Sequence, residues 1–105
     1  MATLEWQDIR IAVDDDGFME MPKEWNERVA LALASTEGLE SLGEDHWKVI
    51  NYLRKYYEEN GIAPMVRRLC KETGLSLQQI YDLFPSGPAK GACKVAGLAR
   101  PTGCV

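Results

Sequence analysis

The chain holds a single histidine, His46, and three cysteines, Cys70, Cys93 and Cys104, none of them close to another. Structural zinc sites draw their ligands in close pairs such as C-x2-C. These four residues therefore do not read as a Cys3His site, and no metal is expected. No apolar run approaches the ~20 residues that a bilayer span requires, so membrane insertion is not expected. The opening Met1-Ala2-Thr3-Leu4-Glu5-Trp6 has neither the basic nor the apolar stretch of a secretory leader. Three cysteines without such a leader suit a reducing compartment, and a cytoplasmic chain with buried or reactive thiols is expected.

What is present is an ordinary globular balance, with 46% hydrophobic and 27% charged residues. At 105 residues, one core is expected, with little material left for a deep, self-contained active site. An autonomous enzyme is therefore not expected. The formal net charge of -4 argues against nucleic acid as the main partner. The charge is placed unevenly. Residues 1–85 carry nine Lys and Arg against all sixteen acids, whereas residues 86–105 carry Lys90, Lys94 and Arg100 and no acid. Those last twenty residues also hold four of the nine glycines, two of the three cysteines and no aromatic residue. The division expected is an acidic body over 1–85 and a basic, small-residue arm over 86–105.

Within the body, Leu4 and Trp6, then Ile9, Ile11 and Val13, alternate around Gln7-Asp8 and predict a hairpin with one apolar face. Asp14-Asp15-Asp16-Gly17 reads as a turn, lacking the twelve-residue ligand pattern of a calcium loop. Pro22 suits the first turn of a helix, whose face Trp25, Val29, Ala32 and Leu33 would mark to about Ser35. Asp45 is the expected N-cap of a longer helix that ends at Asn60-Gly61, with Trp47, Ile50, Leu53, Tyr56 and Tyr57 turned inward. Pro64 would open a short helix with Met65, Leu69 and Cys70 inward and Arg67, Arg68 and Lys71 in solvent, stopping at Thr73-Gly74. Ser76 and Gln79 form a capping-box pattern for a last helix carrying Leu77, Ile80, Leu83 and Phe84. The fold class expected is mainly α: a small helical domain with a helix-turn-helix-like corner, an N-terminal β-hairpin and a flexible C-terminal arm.

The corner from Pro64 to Phe84 could suit a DNA-binding regulator. Its second helix, however, offers Gln78 and Gln79 but no Arg or Lys, and an acidic body repels phosphate. Cys70, beside Leu69, is read as a small core side chain. The arm is different. Fully extended it could reach roughly 60–70 Å at ~3.3–3.6 Å per residue, and its glycines would let Cys104 fold back to Cys93. Lys90 and Lys94 flank Cys93 and would favour its thiolate, while Cys104 lies near both Arg100 and a terminal carboxylate. Lys90, Lys94 and Arg100 would suit a partner or an anionic cargo.

Three stretches carry a resemblance: Gly61-Ile62-Ala63-Pro64-Met65-Val66-Arg67-Arg68, then Leu83-Phe84-Pro85-Ser86-Gly87-Pro88, then Gly91-Ala92-Cys93-Lys94 with the ending Pro101-Thr102-Gly103-Cys104-Val105. They resemble the DsrC/TusE family, which includes the gamma subunit of dissimilatory sulfite reductase, over about the C-terminal half. The resemblance implies a sulfur carrier and co-substrate. The arm would enter a cleft of the alpha and beta subunits of the sulfite reductase. There Cys104 would accept sulfur at an intermediate oxidation level, and Cys93 would close on it as a trisulfide. A membrane-bound thiol-reducing complex would then release sulfide. Sirohaem and iron–sulfur clusters would belong to the partner, and this chain would bind no cofactor. Family members of the tRNA thiolation relay typically keep only the tip cysteine, so the single-thiol persulfide relay stands as an alternative beside the DNA-binding regulator.

Overall fold

The computed structural model describes residues 2–15, 17–87 and 91–98. Two strands, β1 (Ala2–Trp6) and β2 (Ile9–Val13), pair antiparallel in the register Leu4 with Ile11 and Trp6 with Ile9. Gln7 and Asp8 make the turn, Gln7 with a positive φ of 53°. The period-two pattern thus places Leu4, Trp6, Ile9, Ile11 and Val13 together. They pack with Met19, Val29, Ala32 and Leu33 into a smaller apolar cluster. The acidic turn follows as expected: the Asp14 carboxylate accepts from the Phe18 amide, and Gly17 donates to the Asp14 carbonyl.

The segment from Pro22 differs from the single helix expected. Pro22–Glu24 form one 3-10 turn, and α1 (Glu27–Ser35) begins afresh after Asn26. Asn26 is extended, at φ -151°, and its side-chain oxygen accepts from the Val29 amide at 2.9 Å. A capping side chain there satisfies a donor that a continuous helix would have used internally. The next helix, α2 (Glu44–Asn60), is capped by Gly43 rather than by Asp45, which lies in its first turn. Asp is the better intrinsic cap, but the His46 imidazole reaches back and accepts the Gly43 amide at 3.0 Å. Gly61 closes α2 in the left-handed conformation.

Helix α3 (Val66–Thr73) starts one residue after Met65, which is 65% exposed rather than inward, and ends at left-handed Gly74. Arg67, Arg68 and Lys71 are exposed, as expected. Helix α4 (Leu77–Leu83) carries the expected capping box, Ser76 accepting from the Gln79 amide while Gln79 accepts from the Ser76 amide. Ile80 and Phe84 are fully buried, whereas Leu77 is 45% exposed. Gly74, Leu75 and Ser76 connect α3 to α4. The mainly helical fold with an N-terminal hairpin is as expected.

The larger correction concerns the end of the chain. Residues 91–98 do not stand off as part of a free arm: Gly91 and Ala92 wind into α5 (Cys93–Val95), and Ala92, Cys93, Val95, Ala96 and Leu98 are all at most 1% exposed. They share one cluster with Phe18, Val49, Ile50, Leu53, Leu69, Ile80 and Phe84. A lack of aromatics and a wealth of small residues reads as poor core material. Here the small side chains instead let backbone approach backbone. A Cβ on Gly91 would lie 2.9 Å from the Phe84 Cβ. No helix among the described residues is long and apolar enough to cross a membrane.

Candidate thiol site

Cys93 is the first residue of α5 and is fully buried. Burial in apolar surroundings disfavours the thiolate and pushes the thiol up to about 12. The sequence placed Lys94 beside this thiol as a stabiliser of the thiolate. The structure commits Lys94 elsewhere: its Nζ meets the Glu37 Oε2 at 2.9 Å, with side chains 14% and 7% exposed. The docked Cys93 is therefore a neutral thiol, shielded from solvent and protonated at physiological pH.

Two side chains hold the end of α5 in place. The Trp25 indole Nε1 donates to the Val95 carbonyl at 3.0 Å, and the Arg54 guanidinium donates to the Ala96 carbonyl at 2.8 Å. These carbonyls end a helix of one turn and have no acceptor role left within it, so outside donors are needed to satisfy them. Arg54 also lies over the Trp25 ring, 4.2 Å from its centroid, which binds the two donors to one another. Burial lowers the Arg54 pKa, with Glu58 acting in the opposite direction. Gly97 follows α5 with φ +75°, and a Cβ there would lie 2.1 Å from the Trp25 Cδ1. Only glycine suits both demands at this position.

The remaining expected site residues, Lys90, Arg100 and Cys104, lie outside the described residues. Cys70 is half-buried against the main core, in keeping with a packing role. His46 joins two elements: its Nδ1 accepts the Gly43 amide, its Nε2 donates to the Leu83 carbonyl at 3.0 Å, and its ring meets Phe84 edge-on. No group of three or more metal-ligating side chains gathers among the described residues. Arg67, Arg68 and Lys71 line a surface cleft of about 480 Å³ with Tyr56, Met65 and Glu72. Sequence reasoning missed Glu37 and Arg54 as partners of α5. Glu37 meets Lys94 across 57 positions and Arg54 meets Ala96 across 42, beyond any local pattern.

Comparison with known proteins is consistent along the whole chain. The family described as "DsrC like protein" matches residues 5–105. The dissimilatory-type sulfite reductase subunit gamma of Nitratidesulfovibrio vulgaris is 48% identical over 105 residues, covering all of both chains. The sulfurtransferase TusE of Salmonella typhimurium is 39% identical, over 90% of this chain and 93% of its own. Among solved structures, a chain in the crystal structure of dissimilatory sulfite reductase I superimposes with a TM-score of 0.91 at 49% identity, covering 99% of this chain and 100% of that one. The oxidized gamma subunit from Archaeoglobus fulgidus gives 0.86 at 46% identity, again over 99% and 100%.

Proposed function

This chain belongs to the DsrC-like protein family, and we propose that it carries sulfur for a dissimilatory sulfite reductase on its two C-terminal cysteines. The similarity to a sulfite reductase gamma subunit, uninterrupted from end to end, carries this reading. TusE relatives, sulfurtransferases by name, support the same chemistry of sulfur held on protein. The chain acts as a co-substrate of a partner enzyme rather than as an enzyme alone.

In this reading Cys104, near the end of the chain, accepts sulfur at an intermediate oxidation level from the alpha and beta subunits. Cys93 then closes on that sulfur to give a trisulfide, its thiol and that of Cys104 flanking the carried atom. Reduction by a membrane-bound thiol-reducing complex releases sulfide and restores both thiols. Sirohaem and iron–sulfur clusters belong to the partner, and this chain contributes only thiols and positioning. Lys90, Lys94 and Arg100 supply positive charge toward the partner or its anionic cargo once the segment is extended.

The burial of Cys93 supports this order of events. A neutral, fully buried thiol does not compete with Cys104 for incoming sulfur. Bridge closure needs either Cys104 to reach the docked α5 or α5 to leave the core. Lys94 acts on the Cys93 thiolate only in the second case, because docking ties it to Glu37. The test is intact mass spectrometry after incubation with sulfite, a reductant and the sulfite reductase of N. vulgaris freed of its own gamma subunit. A gain of one sulfur with loss of two hydrogens, and no free thiol at Cys93 or Cys104, is expected. An unchanged mass under turnover would contradict the carrier reading.

A further inference from the structure

We propose that Glu37 and Lys94 are positioning residues that set how often Cys93 becomes available, because their buried ion pair makes docking of residues 91–98 weaker than its apolar contacts alone would make it. The inference deepens the carrier reading, in which Cys93 must be reached, but it rests on contacts that exist without any partner.

A helix of one turn has no stability of its own, so α5 stays folded through its contacts. The apolar side chains Ala92, Cys93, Val95, Ala96 and Leu98 favour docking outright. So do Trp25 and Arg54, which satisfy carbonyls that docking buries. The Glu37–Lys94 pair differs in sign. Both side chains leave water almost completely, yet among the described residues the carboxylate makes a single polar contact, and its second oxygen, Oε1, is buried there with no hydrogen-bond partner. A half-satisfied buried pair returns less than the hydration that it gives up. The Phe18 ring, 5.9 Å from the ammonium, adds only a weak attraction.

The fold nevertheless keeps room for the pair. Gly17 has no side chain to meet Lys94, and a Cβ there would lie 3.3 Å from Nζ. Pairing fixes the register of docking, since any other seating leaves one charge buried alone. Release rehydrates both groups and places a free ammonium next to the Cys93 thiol, which favours its thiolate at the moment of exposure. One pair thus weakens docking, sets its register and prepares the thiol.

The signature is an opposite sign for single and double substitutions. Glu37→Met or Lys94→Met alone leaves a buried charge unpaired, and Cys93 should open more often. The double variant Glu37→Met with Lys94→Met replaces the pair by apolar side chains of similar length, and docking should tighten. The experiment is alkylation of the full-length chain by N-ethylmaleimide near neutral pH, with tandem mass spectrometry to locate the label. Rates are normalised to those in concentrated urea, which removes the effect of the Lys94 charge on intrinsic thiol reactivity. A urea series on the native chain separates local release from whole-chain unfolding, because local release exposes less surface and so depends less steeply on urea. The expected result is a shallow urea dependence at Cys93, labelling at least about tenfold faster in each single variant that folds, and at least about threefold slower in the double variant. The double variant decides. Labelling as fast as in the native chain, or a native Cys93 that follows the urea slope of global unfolding, overturns the proposal. Neither outcome depends on sulfur loading, so failure of the carrier reading would show separately in the mass experiment.

Discussion

Gly97→Ala tests the seating of α5 most sharply. The new methyl would meet the Trp25 ring at 2.1 and 2.7 Å and the Met19 sulfur at 3.0 Å, on a backbone with φ +75°. The left-handed conformation costs a non-glycine residue ~1–2 kcal/mol, and overpacking a tight site costs typically ~1–3 kcal/mol. The sum is roughly 2–5 kcal/mol, capped by the free energy of docking, since the segment can release instead of straining. At about 4–8 °C per kcal/mol for a domain near this size, melting should fall by roughly 8–40 °C. Gly38→Ala is the matched control: its φ is +80° and nothing lies within 4 Å of the added carbon. It should lose only the conformational part, ~1–2 kcal/mol. Urea unfolding of both variants, followed by circular dichroism, gives the difference directly. Gly97→Ala no more damaging than Gly38→Ala would show that the Trp25 contact does not hold α5 and refute the reasoning.

Removal of residues 91–105 should destabilise the chain strongly. Burying Val95 and Leu98 alone is worth roughly 3–6 kcal/mol, and a melting temperature unchanged by the truncation would return residues 91–98 to the status of a free arm. The pH dependence follows from Cys93, whose thiol lies at about 12 when folded against 9.0 for the ordinary group. A raised folded value means that stability is fully present below pH 9 and lost as pH climbs toward 12, because the unfolded chain releases its proton first. Urea midpoints between pH 8 and 10.5 should fall less in Cys93→Ala than in the native chain, and equal slopes would contradict the burial of the thiol. His46→Ala removes the acceptor for the Gly43 amide and the donor to Leu83, and should cost about 1–2 kcal/mol in urea unfolding. Duplex DNA should show only weak, salt-sensitive binding in gel shifts. A tight complex that survives raised salt and requires Arg67 or Arg68 would favour the regulator instead.

Much of this fold is legible in local sequence. The hairpin follows from alternation at Leu4, Trp6, Ile9, Ile11 and Val13, and its register from the two-residue turn. Gly61 and Gly74 mark helix ends because the chain there adopts left-handed backbone. Ser76 and Gln79 announce α4 by reciprocal capping. Local rules mislead where a competing group intervenes, as when His46 lets Gly43 displace Asp45 as the cap. The cysteine pair is visible in the sequence, while the state of Cys93 is not. Its burial depends on Trp25 and Arg54, and the commitment of Lys94 depends on Glu37, contacts that no periodicity encodes. The composition of residues 91–98 hides their packing, because small side chains look like linker until a facing Phe84 and Trp25 are supplied.

The central claim is that sulfur enters at Cys104 and is closed by Cys93. It is tested by loading the native chain, Cys93→Ala and Cys104→Ala with sulfite and the sulfite reductase alpha and beta subunits, then mapping bound sulfur by tandem mass spectrometry. The account predicts a trisulfide in the native chain, a persulfide or mixed disulfide at Cys104 in Cys93→Ala, and no bound sulfur in Cys104→Ala. Normal loading of Cys104→Ala through Cys93 would contradict it.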